Sequence, residues 1–332
     1  MSLSYTCSQP RQELPTIVDD NDLHPQYINP SASKSYCIMT APVEHVKLTR
    51  IVSLVLRDLY SIRPPSLSHR IELSSKYTSD LQNWRASLSR FLNDDEGRGI
   101  DSHLLIPIYQ RQRSVLNLAY YHATLLIHRP FLLSNFASLT HMPTHSTFQR
   151  NASIDTSSNI TSCLEAAMSI VRVVDDVFTS SNLFRSFWFT QYYAFCAVVV
   201  LYIHRIQQHL VYPGKCEGYF AAGQKCQRQL ESVSETDCLA RRYCLVLEEL
   251  RLEALRHAQN SEAAFGVQVP PPPVLEEREQ VAGGSFLGMQ TPDSAVFGAS
   301  WLPNSSIMAD LTSWGQFDSL VTAGIGLFDG AG

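Results

Sequence analysis

The sequence lacks a strong charge of either sign. Twenty-six Lys and Arg stand against 31 Asp and Glu over 332 residues, a net charge of −5, and charged residues make up only 17% of the chain. That balance excludes a chain-wide basic surface for nucleic acid. Long apolar runs are also missing. The longest, FWFTQYYAFCAVVVLYI at 187–203, has 17 residues and is interrupted by Thr190 and Gln191. It is short for a bilayer crossing, so it reads as a helix buried in a bundle, with no membrane partner. The eight cysteines (Cys7, Cys37, Cys163, Cys196, Cys216, Cys226, Cys238 and Cys244) form no C-x2-C pair. Without that spacing there is no structural zinc site in this chain, and scattered thiols in apolar stretches suit reduced, buried cysteines. Met1 to Pro10 has neither the basic start nor the apolar run of a secretory signal, so a reducing intracellular compartment is expected. The sequons at Asn151, Asn159 and Asn304 then read as chance matches. No alternating strand pattern, hairpin signal or fixed-period repeat is found.

Catalytic patterns are missing too. There is no G-x-S-x-G, P-loop, G-x-G-x-x-G or H-E-x-x-H, and Gly283-Gly284 follows no strand pattern. His122 and His128 are six apart on one helix and so on different faces, one a core histidine and the other a helix-end histidine. His204 and His209 are five apart, and Pro143 separates His141 from His145. Asp19, Asp20 and Asp22 lack the rest of a calcium loop and read as a turn or a helix cap. Glu248-Glu249 reads as a surface pair. No catalytic, cofactor-binding or metal-ligating residue is assigned, and the chain reads as a non-enzyme. A helical enzyme with a site hidden between helices is the remote alternative.

What is present divides the chain in three. Residues 1–42 carry Pro10, Pro15, Pro25, Pro30 and Pro42 and are expected to be extended. Residues 43–265 carry apolar stripes at spacings of three and four. Helices are predicted over 44–62, 68–92, 101–128, from about 164 to 178, 187–210, 217–232 and 235–259. The 101–128 helix is apolar nearly all round, hence central, and Arg129-Pro130 should stop or kink it. Residues 137–162 hold eleven Ser or Thr and only two charged residues, so a mobile surface loop is expected there. The fold class expected is all-α, a multi-helix bundle. Residues 266–332 open on Pro270–Pro273 and hold seven acidic residues against a single Arg278. Trp301, Leu311, Trp314, Phe317 and Phe328 lie among those acids and serines. This is the composition of a disordered acidic activation segment that folds on a partner.

The central helix reads LNLAYYHATLLIHRPFLL at 116–133. It resembles the signature of the fungal-specific transcription factor domain, the middle homology region of Zn2Cys6 regulators. The matching residues are Tyr121, His122, His128, Arg129, Pro130 and Phe131. LPTIVDDNDLHPQY (14–27), KLTRIVSLVLRDLYSIR (47–63) and LQNWRASL (81–88) resemble further family segments in the same order. The resemblance covers about residues 10–260. It implies a nuclear, pathway-specific transcription regulator acting by protein–protein contact with the transcription machinery or co-regulators, as a homo- or heterodimer. DNA binding and zinc are expected only in a finger absent from this chain, or through a partner. A finger-less accessory protein that modulates a full-length relative is the alternative. Ser8-Gln9-Pro10 stands where the family has a Gly-Arg-Pro turn, so the chain is expected to begin inside the domain. Apolar surface of the 44–62 or 104–128 helices should then be exposed.

Overall fold

The computed structural model describes residues 13–28, 36–61, 63, 65–94, 99–100, 104–140, 155–180, 188–209, 217–235 and 237–265, with backbone alone at 21, 134–140, 180, 188, 208–209 and 257–265. These residues form an all-α, multi-helix bundle: α1 (Thr40–Leu59), α2 (Leu67–Ala86), α3 (Pro107–Thr140), α4 (Ser157–Ser180), α5 (Trp188–His209), α6 (Glu217–Glu231) and α7 (Cys238–Phe265). Among them there is no strand, only an isolated bridge between Leu23 and Ile28. Among the described residues no helix is long and apolar enough to cross a membrane. The chain divides into two units, Met1–Ala258 and Gln259–Gly332. Of the second, only the backbone of the α7 end is described. Trp301, Leu311, Trp314, Phe317 and Phe328 lie outside the described residues, as do Cys7, Cys216 and Asn304.

Several helix ends differ from the sequence expectation. α1 starts at Thr40, within the stretch expected to be extended. Pro42 stands in its first turn, where a missing N–H costs no helix bond. α2 stops at Ala86, so Leu88 and Phe91 do not continue a helical stripe. They lie 8% and 2% exposed, folded inward by turns. α3 starts at Pro107 rather than at 101, and it runs through Pro130 to Thr140. Of the expected stop or kink at Arg129-Pro130, the stop does not occur. The expected loop shrinks at both ends, since α3 reaches Thr140 and α4 begins at Ser157. Residues 141–154 lie outside the described residues. Asp155 Oδ1 accepts from the Ser157 N–H (2.9 Å) at the start of α4. In the same way Asp237 Oδ1 accepts from the Leu239 N–H (2.8 Å), starting α7 just after the expected 235.

α3 is the axis of the bundle. At 34 residues it is about 51 Å long, and it packs against α1, α2, α4 and α5. Leu48, Val55 and Leu59 of α1 meet Tyr77, Leu81 and Trp84 of α2 and Leu116, Ala119, Ala123 and Leu126 of α3 in one core. The Tyr77 hydroxyl donates to the Asp58 carboxylate, tying α2 to α1. Burial, then that carboxylate, pushes the Tyr77 phenol up to about 12. From 188 onward the apolar run forms α5, the buried helix expected of it. From Ala194 to Ile203 no α5 residue exceeds 2% exposure. Cys37, Cys163, Cys196 and Cys226 are buried and in no disulfide, whereas Cys238 is exposed, against the expectation for it. The Asp19–Asp22 run is a turn, with Asp19 Oδ1 accepting from the Ile38 N–H (3.3 Å). Apolar side chains are indeed exposed on α1 and before α3: Val46 (40%), Leu56 (45%), Leu104 (78%) and Ile106 (57%).

Candidate functional site

The six signature residues lie on α3 but point to four different neighbours. His122 is buried, its ring stacked on Tyr193 of α5 (centroids 4.4 Å apart) and edge-on to Tyr192. Burial, with a smaller push from the Arg129 charge, lowers its pKa to about 3. The imidazole is therefore neutral throughout the physiological range. This is the core histidine the sequence suggested.

His128 is not at a helix end, because α3 continues past it. Its Nδ1 lies 3.0 Å from Asn159 Oδ1 on α4, and its Nε2 lies 3.2 Å from the Thr78 hydroxyl on α2. An amide oxygen only accepts, so Nδ1 carries the proton and Nε2 accepts from Thr78. One side chain thus joins three helices. Burial lowers the His128 pKa, against a smaller upward pull from Asn159. Asn159 appeared in the sequence only as a sequon. Here its amide oxygen is taken up in the bundle, with the Ser74 hydroxyl 3.2 Å away as well.

Proline in a helix interior has no N–H for the carbonyl four residues earlier. For Pro130 that carbonyl belongs to Leu126. The Tyr60 hydroxyl, at the end of α1, donates to it at 2.7 Å. The Arg129 guanidinium sits over the same Tyr60 ring, 5.1 Å from its centroid. Arg129 is 1% exposed and Phe131 is fully buried. The Arg-Pro pair and Tyr60 therefore form one junction that lets α3 continue. Nothing in the sequence singled out Tyr60.

Tyr121 faces a groove between α2, α3 and α4, of about 230 Å³. Tyr120 and His128 line its floor, and Gln82 and Glu165 are exposed at its edges. The Arg85 guanidinium lies 4.4 Å from the Tyr120 ring centroid and 5.4 Å from that of Tyr121. Arg85 also donates to Asn117 Oδ1 (3.1 Å) on α3. Among the described residues the groove has a single charged lining side chain, Glu165. One hydroxyl–imidazole pair lies on its wall, Thr78 and His128 at 3.2 Å, and among the described residues no three His, Cys, Asp or Glu side chains are placed to hold a metal. Sequence reasoning missed Gln82, Thr78 and Glu165, because the groove exists only once three helices are assembled.

This is a helical bundle organised around one signature-bearing axis. No family model matches the chain, and no solved structure matches it. Among curated proteins it is similar to "Activator of stress genes 1" of Saccharomyces cerevisiae, at 25% identity over 168 residues. The similarity covers 49% of this chain and 16% of that protein, so the chain spans a small part of its relative's length.

Proposed function

We propose that this chain is the regulatory part of a transcription regulator and works by protein–protein contact rather than catalysis. The observation that carries the reading is the similarity to a yeast activator of genes, which covers 49% of the chain. An all-α bundle whose signature residues spend themselves on packing supports it, since Arg129 and Phe131 are buried and His122 and His128 are held inside. In this reading the protein works in the nucleus and the helices are a regulatory domain. The acidic, aromatic segment from 266 onward recruits the transcription machinery or a co-regulator. A zinc finger of the family type, or a dimer partner that carries one, reads DNA.

The test is a reporter assay with the whole chain fused to an unrelated DNA-binding domain. The fusion is expected to change reporter output. Replacing Trp314, Phe317 and Phe328 together by Ala should abolish that change while leaving the protein level unaltered. A fusion that is nuclear and abundant yet leaves the reporter at baseline overturns the reading.

A further inference from the structure

We propose that the α2–α3–α4 groove is a binding site for a small, uncharged polyhydroxy compound of about monosaccharide size. Size gives the first limit. At about 230 Å³ the groove falls below the roughly 300–1,000 Å³ of clefts that hold drug-sized ligands. That size suits a small compound better than a drug-sized one.

Charge gives the second limit, from both sides. Among the described residues the only charged lining group is the Glu165 carboxylate, so an anion entering the groove meets repulsion and no described lining cation. A cation is disfavoured for a different reason. Tyrosine faces attract cations, but the faces of Tyr120 and Tyr121 already carry Arg85, at 4.4 and 5.4 Å from their centroids. A second positive charge on these rings would therefore lie close to the first.

What remains suits hydroxyl groups. The carboxylate of Glu165 and the amide of Gln82 are planar, two-pointed hydrogen-bonding groups able to grip neighbouring hydroxyls, with the Ser162 and Ser169 hydroxyls and the Tyr121 ring beside them. His128 lies in the floor but is committed to Asn159 and Thr78, so it serves as wall rather than as ligand contact. A compound bound here touches three helices at once and would favour the arrangement in which they are packed together. The site is thus a place where a metabolite could bias the domain.

The proposal stands apart from the transcription reading, because binding is measured on the purified full chain with no reporter. The probes are glucose, mannose, myo-inositol and glycerol, with putrescine and inorganic phosphate as charged controls, followed by calorimetry and ligand-observed NMR. At least one neutral polyol is expected to bind saturably, one per chain. Gln82→Ala and Glu165→Ala should each weaken it by roughly tenfold, the loss of one hydrogen bond to a charged or polar partner. Both residues are exposed, so the ligand-free melting temperature of the variants should match that of the parent. Three results would overturn the proposal: a folded chain that binds no polyol saturably, polyol binding that both variants retain in full, or saturable binding of putrescine or phosphate in preference to the polyols.

Discussion

The Tyr60 hydroxyl occupies the Leu126 carbonyl, the acceptor that Pro130 leaves without its helical donor, at 2.7 Å. A residue of α1 thereby repairs a defect in α3 that lies 66 positions away in sequence. A proline inside a helix costs about 3 kcal/mol or more when nothing compensates. With the carbonyl satisfied and Arg129 packed on the same ring, the helix runs on for ten further residues to Thr140.

The repair is testable by a double-mutant cycle. Tyr60→Phe keeps the ring under Arg129 but removes the donor, leaving a buried carbonyl unsatisfied, at a cost of about 1–3 kcal/mol. In a Pro130→Ala background residue 130 regains its N–H and can serve Leu126 itself. Tyr60→Phe should then cost much less, a coupling of about 1 kcal/mol or more in urea unfolding. Additive effects would show that the two residues do not share the carbonyl.

Acid should weaken the fold well before its carboxylates titrate. Burial lowers His122 to about 3 and His204 to about 4, from about 6.5 in an unfolded chain. Above that unfolded value both states are neutral and stability is complete. As pH falls below it, the unfolded chain takes up protons that the native state refuses, so stability is lost down to the folded values. The slope is about 1.4 kcal/mol per pH unit for each such histidine. Urea midpoints measured between pH 7 and pH 5 should fall accordingly, and His122→Gln should flatten the dependence. Asp58, Asp175 and Glu248, held low chiefly by Arg57, Lys225 and Arg251, act in the same direction but only at lower pH. A flat profile from pH 7 to pH 5 would contradict this account of the buried imidazoles.

Gly223 on α6 lets Tyr202 of α5 come close. A Cβ there would lie 2.8 Å from Tyr202 Cε1. Tyr202 is fully buried and its hydroxyl donates to Gln227 Oε1 at 2.7 Å, so the ring has little freedom to retreat. Gly223→Ala should destabilise by about 1–2 kcal/mol, because overpacking outweighs the roughly 1 kcal/mol of helix propensity gained. In a Tyr202→Leu background the same substitution should become stabilising. Thermal melts of the four proteins decide it, and a stabilising Gly223→Ala in the parent chain would show that the contact yields readily.

The helices and their inner faces were legible because Leu48, Val55, Leu59, Leu81 and Trp84 recur at spacings of three and four. The buried character of 187–203 was legible because an apolar run too short for a membrane has a bundle interior as its place. What escaped was the remedy at Pro130. The proline rule is local, whereas its exception comes from Tyr60 on another helix. The end of α2 escaped for a related reason, since Leu88 and Phe91 are buried through turns and mimic a helical stripe. At the candidate groove, Tyr121 and His128 stood out in the sequence, but Gln82, Thr78, Asn159 and Glu165 did not. Their roles depend on which helices become neighbours, and no spacing within one segment encodes that.

The Tyr60–Leu126 bond makes the continuity of α3 a property of the assembly rather than of the 107–140 segment. That segment, cut out as a peptide or grafted into a foreign scaffold, would keep its proline and lose its remedy, and would break near Pro130. The signature is therefore not a portable module. A shortened gene product or a chimera preserves α3 only where the end of α1 comes with it.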